Sequence, residues 1–211
     1  MRRRDGFVDT LDEMVSDQIS RRGIEAIRTT KAMRSVDRRA FVPRDMSQHA
    51  FEDRPLAIGL GQTISQPYIV ALMTSQFEDL PTGSKILEVG AGSGYQTAVL
   101  VAMGFEVHAI ELEAKLVRRA RRVLHSLGLS PSTLIAGDGR QGLPNHAPFD
   151  GVIAAACADG LPSSWKDQAG LNGRLVAPVE TAQGQVLRRF DRVGNDWKER
   201  DLCGVLFVPL R

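Results

Sequence analysis

Lys85-Ile86-Leu87-Glu88-Val89 is a short apolar run that ends at Gly90-Ala91-Gly92-Ser93-Gly94, and residues 95–103 follow at helical spacing. Strand, glycine loop and helix in that order allow few folds. Glycines let the backbone turn sharply and come close to a ligand. The helix beyond presents unpaired N–H groups to an anionic group. Ligands of open α/β sheets sit at the carboxyl ends of the strands. A dinucleotide loop reads Gly-x-Gly-x-x-Gly, but here the third glycine comes one residue early, at Gly94, and Tyr95 follows it. A phosphate-binding P-loop needs Gly-Lys-Ser/Thr, and the lysine is absent. From these residues alone, a nucleotide-type ligand and a structural turn both remain open.

The surrounding pattern supports a sheet. Strands are expected at 85–89, 106–110, 133–136, 150–155, 173–178, 186–192 and 203–208, with helices at 95–103, 113–127 and 161–169. The helix at 113–127 is long and basic, with Leu116, Val117, Ala120, Val123, Leu124 and Leu127 on its apolar stripe. Strand–helix alternation from 85 to about 179 predicts right-handed βαβ units and a mostly parallel sheet. The last two strands lack a helix between them and are expected to form an antiparallel hairpin. Upstream, Phe7, Leu11, Met14, Val15 and Ile19 lie at helical spacing, and Gly23 is placed to end that helix. Ile24, Ile27, Met33 and Val36 predict further helical turns; residues 44–68 read as irregular, and Pro67 opens another helix.

Two acids follow the next strand ends. Glu111 is placed to accept hydrogen bonds from two ribose hydroxyls, or simply to open the helix that follows it. Asp138, within Gly137-Asp138-Gly139, is placed to accept from an adenine amino group, or to serve as a turn residue.

The loop Glu-x-Gly-x-Gly-x-Gly resembles the first motif of class I methyltransferases. Pro55-Leu56-Ala57-Ile58-Gly59-Leu60-Gly61-Gln62-Thr63-Ile64-Ser65-Gln66-Pro67 is more specific, and resembles the acceptor-side segment of protein-L-isoaspartate methyltransferases. The resemblance runs in order through Phe41-Val42-Pro43, Gly94-Tyr95-Gln96-Thr97, Gly137-Asp138-Gly139, Phe149-Asp150 and Phe207-Val208-Pro209-Leu210, covering about residues 30–210. It implies a three-layer α-β-α Rossmann-like α/β fold and S-adenosyl-L-methionine as cofactor, with S-adenosyl-L-homocysteine as product. It implies peptide or protein substrates that carry isoaspartate. Ser65 and Thr63 become the acceptor-side catalytic candidates, Ser65 otherwise being a helix cap. Ile64, Glu88, Gly90, Gly92, Ser93, Glu111, Asp138 and Gly139 become the cofactor-binding candidates. One methyltransferase domain over 1–211 is expected, with residues 1–80 as the helical and acceptor-side part and 81–211 as the cofactor-binding core.

The chain also departs from the family. Ala154-Ala155-Ala156-Cys157-Ala158-Asp159 lacks the usual threonine and proline, and Glu180 stands where a glycine follows Pro-Val. These changes leave open a dedicated peptide or small-molecule acceptor, or a cofactor-binding module without catalysis.

Composition narrows the rest. A hydrophobic share of 43% supports a real core, and a formal charge of +2 argues against a nucleic-acid partner. The N-terminal arginines Arg2, Arg3, Arg4, Arg21, Arg22, Arg38 and Arg39 are interrupted by acids and read as a solvated surface. Two distant cysteines offer neither a disulfide framework nor a zinc set. No stretch has the length of a membrane span or the pattern of a secretory leader, so a cytoplasmic monomer is expected. A carboxylate acceptor is ionised at neutral pH, so no general base is required. His49, His108, His125 and His146 stand in no catalytic context, and no metal site is expected.

Overall fold

The computed structural model describes residue 8 and residues 10–211. Phe7 and the basic start of the chain lie outside the described residues. The first helix is α1 (Leu11–Gln18), whose Thr10 hydroxyl accepts the Glu13 N–H at 3.1 Å. Gly23 ends the following turn at φ 89°, a left-handed conformation suited to glycine. Helix α2 (Ile27–Ser35) buries Thr29, Thr30, Ala32 and Met33, while Ile27 is 78% exposed. Ile27 was expected on the apolar stripe; it stands instead at the first position of the helix, facing away from the core. No residue beside α2 caps it. Its first N–H groups are satisfied by the distant Glu78 carboxylate, at 2.6 Å from Arg28 N and 3.0 Å from Thr29 N.

The stretch expected to be irregular contains a hairpin of β1 (Leu56–Gly59) and β2 (Gln62–Ile64). Four and three residues are too few to display a period of two, which hid the hairpin in the sequence. Its turn, Gly59-Leu60-Gly61, has positive φ at all three residues. Helix α3 (Pro67–Ser75) starts on its proline, which lacks the N–H that a first helical turn leaves unused.

The main sheet comprises β3 (Lys85–Val89), β4 (Glu106–Glu111), β5 (Thr133–Ala136), β6 (Phe149–Ala154), β7 (Ala169–Thr181), β8 (Gly184–Val193) and β9 (Asp196–Gly204). Its seven strands lie in the order β5-β4-β3-β6-β7-β8-β9. Pairings from β5 to β7 are parallel, and those of β7–β8 and β8–β9 are antiparallel. The expected hairpin is β8–β9, but its second strand spans Asp196–Gly204 rather than 203–208. Charged residues concealed it. As an edge strand β9 faces water, and Arg188 of β8 pairs with Glu199 at 2.7 Å and Asp201 at 2.5 Å. Residues 205–208 leave the sheet and cross its carboxyl edge.

The two faces of the sheet are unequally covered. Ile86, Val107, Ala109, Ile153 and Val176 face the apolar core built with α1, α2, α3, α4 (Tyr95–Ala102) and α5 (Ala114–Ser126). Leu87, Val89, Ile110, Val152 and Leu175 face a thinner layer centred on Trp165 of α6 (Ser163–Gln168). Of the stripe expected on α5, Leu116, Val117, Ala120 and Leu124 are buried, whereas Leu127 is exposed. Gly151 of β6 allows α3's following turn to settle on the sheet. A Cβ there would lie 2.6 Å from Phe77 Cε1 and 2.7 Å from Ile86 Cδ1. Gly151→Ala is therefore expected to destabilise the protein by about 1–3 kcal/mol through overpacking, read as a lower urea midpoint at unchanged m-value.

Candidate active site

The site lies at the carboxyl ends of β3, β4 and β6. After Val89 the chain turns through Gly90, Gly92 and Gly94, all at positive φ, into α4. Gly94 is required twice over: its φ is +87°, and a Cβ would sit 3.1 Å from both Ala120 Cβ and Leu124 Cδ1 of α5. Its early position in the loop thus follows from close packing of α4 on α5. The loop is tied to the end of β4 through Glu111. One carboxylate oxygen accepts Gly92 N–H at 2.8 Å, and the other accepts Glu113 N–H at 2.9 Å. A carboxylate has about four acceptor positions, so two directions stay free.

Gly90, Gly92, Ser93 and Glu111 line a cavity of about 730 Å³. Thr63, Ile64 and Ser65 line the same cavity from the hairpin side, and Gly139, Ala155 and Ala156 complete its sheet side. The size suits a small-molecule site with room for a reacting partner. None of the four histidines lines it, and no metal-holding cluster of three or more such side chains occurs among the described residues.

Two expected cofactor residues stand off the wall. Asp138 caps the turn after β5, accepting Arg140 N–H at 2.9 Å, and its carboxylate pairs with the Arg140 guanidinium at 2.9 Å. That pairing holds its carboxyl below the usual range. Only the neighbouring Gly139 reaches the cavity, and a Cβ there would lie 2.5 Å from Val89 Cγ1. Gly139 is thus explained by sheet packing as well as by ligand access. Glu88 is 1% exposed, behind the loop, and neither carboxylate oxygen has a hydrogen-bond partner among the described residues. Burial pushes its carboxyl up to about 7; the Thr97 hydroxyl pulls the other way without completing a hydrogen bond, and the Glu111 charge adds to the rise.

The sequence reading missed the tail as a wall. Residues 204–211 line the cavity, held by backbone bonds of Cys157 N to Val208 O (2.8 Å) and Leu210 N to Cys157 O (2.7 Å). The Gln185 side chain accepts Phe207 N–H at 2.6 Å and donates to Phe207 O at 3.3 Å, imitating a strand partner. An apolar Phe207-Val208 run reads as a strand, and nothing local reveals that it crosses a site. The departures at 157 and 180 also meet: Cys157 Sγ lies 3.8 Å from Glu180 Oε2. Burial, with Glu180 beside it, pushes the Cys157 thiol up to about 11.

The family model for protein-L-isoaspartate(D-aspartate) O-methyltransferase matches residues 10–211. This chain belongs to that family. Among its relatives, a protein-L-isoaspartate O-methyltransferase of Gloeobacter violaceus is 44% identical over 198 residues, spanning 93% of this chain and 96% of the relative. One from Methylorubrum extorquens (strain PA1) is 48% identical over 198 residues, spanning 93% of this chain and 86% of the relative. A Plasmodium falciparum family structure in complex with S-adenosyl-L-homocysteine superposes with a TM-score of 0.85 at 26% identity, over 97% of this chain and 99% of that one.

The family cofactor fits the groups present. It carries an ammonium, a sulfonium and a ribose diol, and this site offers a cavity-facing carboxylate with free acceptor directions and a second, orphaned carboxylate behind the loop. Because the Glu88 carboxyl of the folded chain holds its proton up to about pH 7 against 4.5 otherwise, the unfolded state loses that proton first. Its contribution to stability is greatest below pH 4.5 and declines as pH rises to about 7. Glu88→Gln is expected to gain about 3 kcal/mol over the wild type at pH 8 in cofactor-free protein, with the gap closing at pH 4.5, as read from urea midpoints.

Proposed function

We infer that this chain is an S-adenosylmethionine-dependent carboxyl O-methyltransferase acting on L-isoaspartyl residues of proteins, an activity of protein repair. The observation that carries the reading is a single cavity faced by the glycine loop and Glu111 from the sheet and by Thr63–Ser65 from the hairpin. Bound S-adenosylmethionine supplies an electrophilic methyl on a sulfonium. The chain's own residues bind and align. Gly90, Gly92 and Ser93 bound the side assigned to the methionine part, and the free acceptor directions of Glu111 suit ribose hydroxyls. Gly139 opens the side assigned to adenine, where Asp138 contributes through the turn it caps rather than through a free carboxylate.

On the acceptor side, the Ser65 hydroxyl donates to one oxygen of the substrate carboxylate and leaves the other free to react. Thr63 and Ile64 close the wall beside it. No group of this chain needs to remove a proton, since the acceptor is already an anion at neutral pH. Holding the reacting atoms at near-contact distance is the main task. The apolar parts of the tail and hairpin exclude water from the meeting of opposite charges.

The contact between Cys157 and Glu180 supports a second reading, in which the same chemistry serves one dedicated peptide carboxylate. Incubation with an isoaspartyl peptide and the labelled methyl donor is expected to produce a base-labile methyl ester, and the matching aspartyl peptide none. Equal labelling of both, or of neither, would favour the dedicated acceptor. Ser65→Ala is expected to lower turnover roughly tenfold to a hundredfold, the worth of a hydrogen bond to a charged group. Calorimetry should show the affinity for S-adenosyl-L-homocysteine within about threefold of wild type, since the loop and Glu111 are untouched. Unchanged turnover would remove Ser65 from the acceptor side.

A further inference from the structure

Arg38 is completely buried, yet among the described residues no carboxylate pairs with it. Its guanidinium donates to three backbone carbonyls: Ala50 O, Arg54 O at 3.2 Å and Ser65 O at 2.9 Å. Its Nε has no hydrogen-bond partner among the described residues. The guanidinium carbon also lies 5.9 Å from the centre of the Tyr95 ring, and Tyr95, like Ser65, lines the cavity. The cation therefore stands one layer behind the acceptor wall.

The acids around it are already engaged. Asp37 pairs with Arg39, and Glu52 with Arg54 and His49. Asp53 pairs with Arg22 and also accepts from the Gln66 amide and Tyr68 N–H. Among these groups three carboxylates meet four arginines, and Arg38 is the cation left over. Burial pulls its guanidinium down to about 10, which leaves it charged at neutral pH. An unpaired buried charge is costly, and a neutral side chain of similar shape would spare that cost. The planar fork of Arg38 also ties Ala50, Arg54 and Ser65 together, a set of bonds that a neutral side chain with fewer donors would not reproduce.

We propose that Arg38 is a specificity-determining positioning residue: its buried charge, one in excess of the three neighbouring carboxylates, gives the acceptor wall a positive potential that selects an anionic carboxylate, while its planar fork holds the Ser65 carbonyl and so aims the Ser65 hydroxyl. The inference rests on the acceptor-side reading of Ser65 given above. The same potential opposes a sulfonium, so Arg38 favours the acceptor and not the cofactor. This separates it from a residue that only supports the fold, whose loss would weaken both ligands together. A unit charge acting across one layer of side chains at an effective dielectric near 20 is worth on the order of tenfold to thirtyfold in affinity.

The test compares two peptides as ligands of the protein saturated with S-adenosyl-L-homocysteine. One carries isoaspartate; the other carries the same residue with its carboxylate replaced by a carboxamide. The wild type is expected to bind the carboxylate peptide about tenfold to thirtyfold more tightly. Arg38→Gln should bring that ratio close to one, with S-adenosyl-L-homocysteine affinity kept within about threefold. Arg38→Lys should give an intermediate ratio, because a buried ammonium keeps its proton only in part, while kcat falls because the fork is lost. A wild-type ratio of one overturns the proposal without any variant, so failure of Arg38→Gln to fold does not shield it. Survival of the ratio in Arg38→Gln overturns it as well. Wild-type turnover on the isoaspartyl peptide, measured in parallel, reports on the parent reading independently of the ratio.

Discussion

The Glu111 carboxylate holds the site together. It stands at the end of β4, accepts Gly92 N–H from the loop after β3, and accepts Glu113 N–H at the start of α5. Two crossovers of the parallel sheet are thereby fixed relative to one another by a single side chain. The loop is braced from the neighbouring strand by this carboxylate and by Ile110 O, which accepts Gly90 N–H at 2.8 Å. The cavity wall, the entry of α4 and the free acceptor directions toward a ligand all follow from that brace.

Around this anchor the protein keeps two buried ionisable side chains. Among the described residues, Glu88 is a buried carboxyl with no hydrogen-bond partner, and Arg38 a buried guanidinium with carbonyls but no anion. Glu88 stands in β3 just before the glycine loop, and Arg38 stands behind Ser65. Polar groups left uncompensated in a core weaken the fold and concentrate where a ligand makes use of them. The fold tolerates them because its larger apolar layer, from α1 to α5, is continuous beneath the site.

The tail illustrates a different kind of support. None of residues 204–211 is fully buried, and Leu206 is 91% exposed. The segment is held by hydrogen bonds from Cys157 and Gln185 and by the partial burial of Val205, Phe207 and Leu210. Segments secured in this way open at lower free energy than core strands, which suits the wall of a cavity that must admit and release ligands.

The sequence by itself determined the parallel strands, the glycine loop and the hairpin-side stretch with Thr63 and Ser65, because each is written in adjacent residues: an apolar run, a positive-φ glycine, a motif of neighbours. Period-two and period-3.6 patterns report which face of an element is buried, and that information is local. Tertiary structure alone decided whether Asp138 faces the cavity or Arg140, that Glu78 caps a helix fifty residues upstream, that Arg38 reaches the Ser65 carbonyl, and that the last residues form a wall. Those outcomes depend on which partner arrives from a remote part of the chain. Side-chain chemistry limits the candidates, but only the packed fold brings one of them within hydrogen-bond reach.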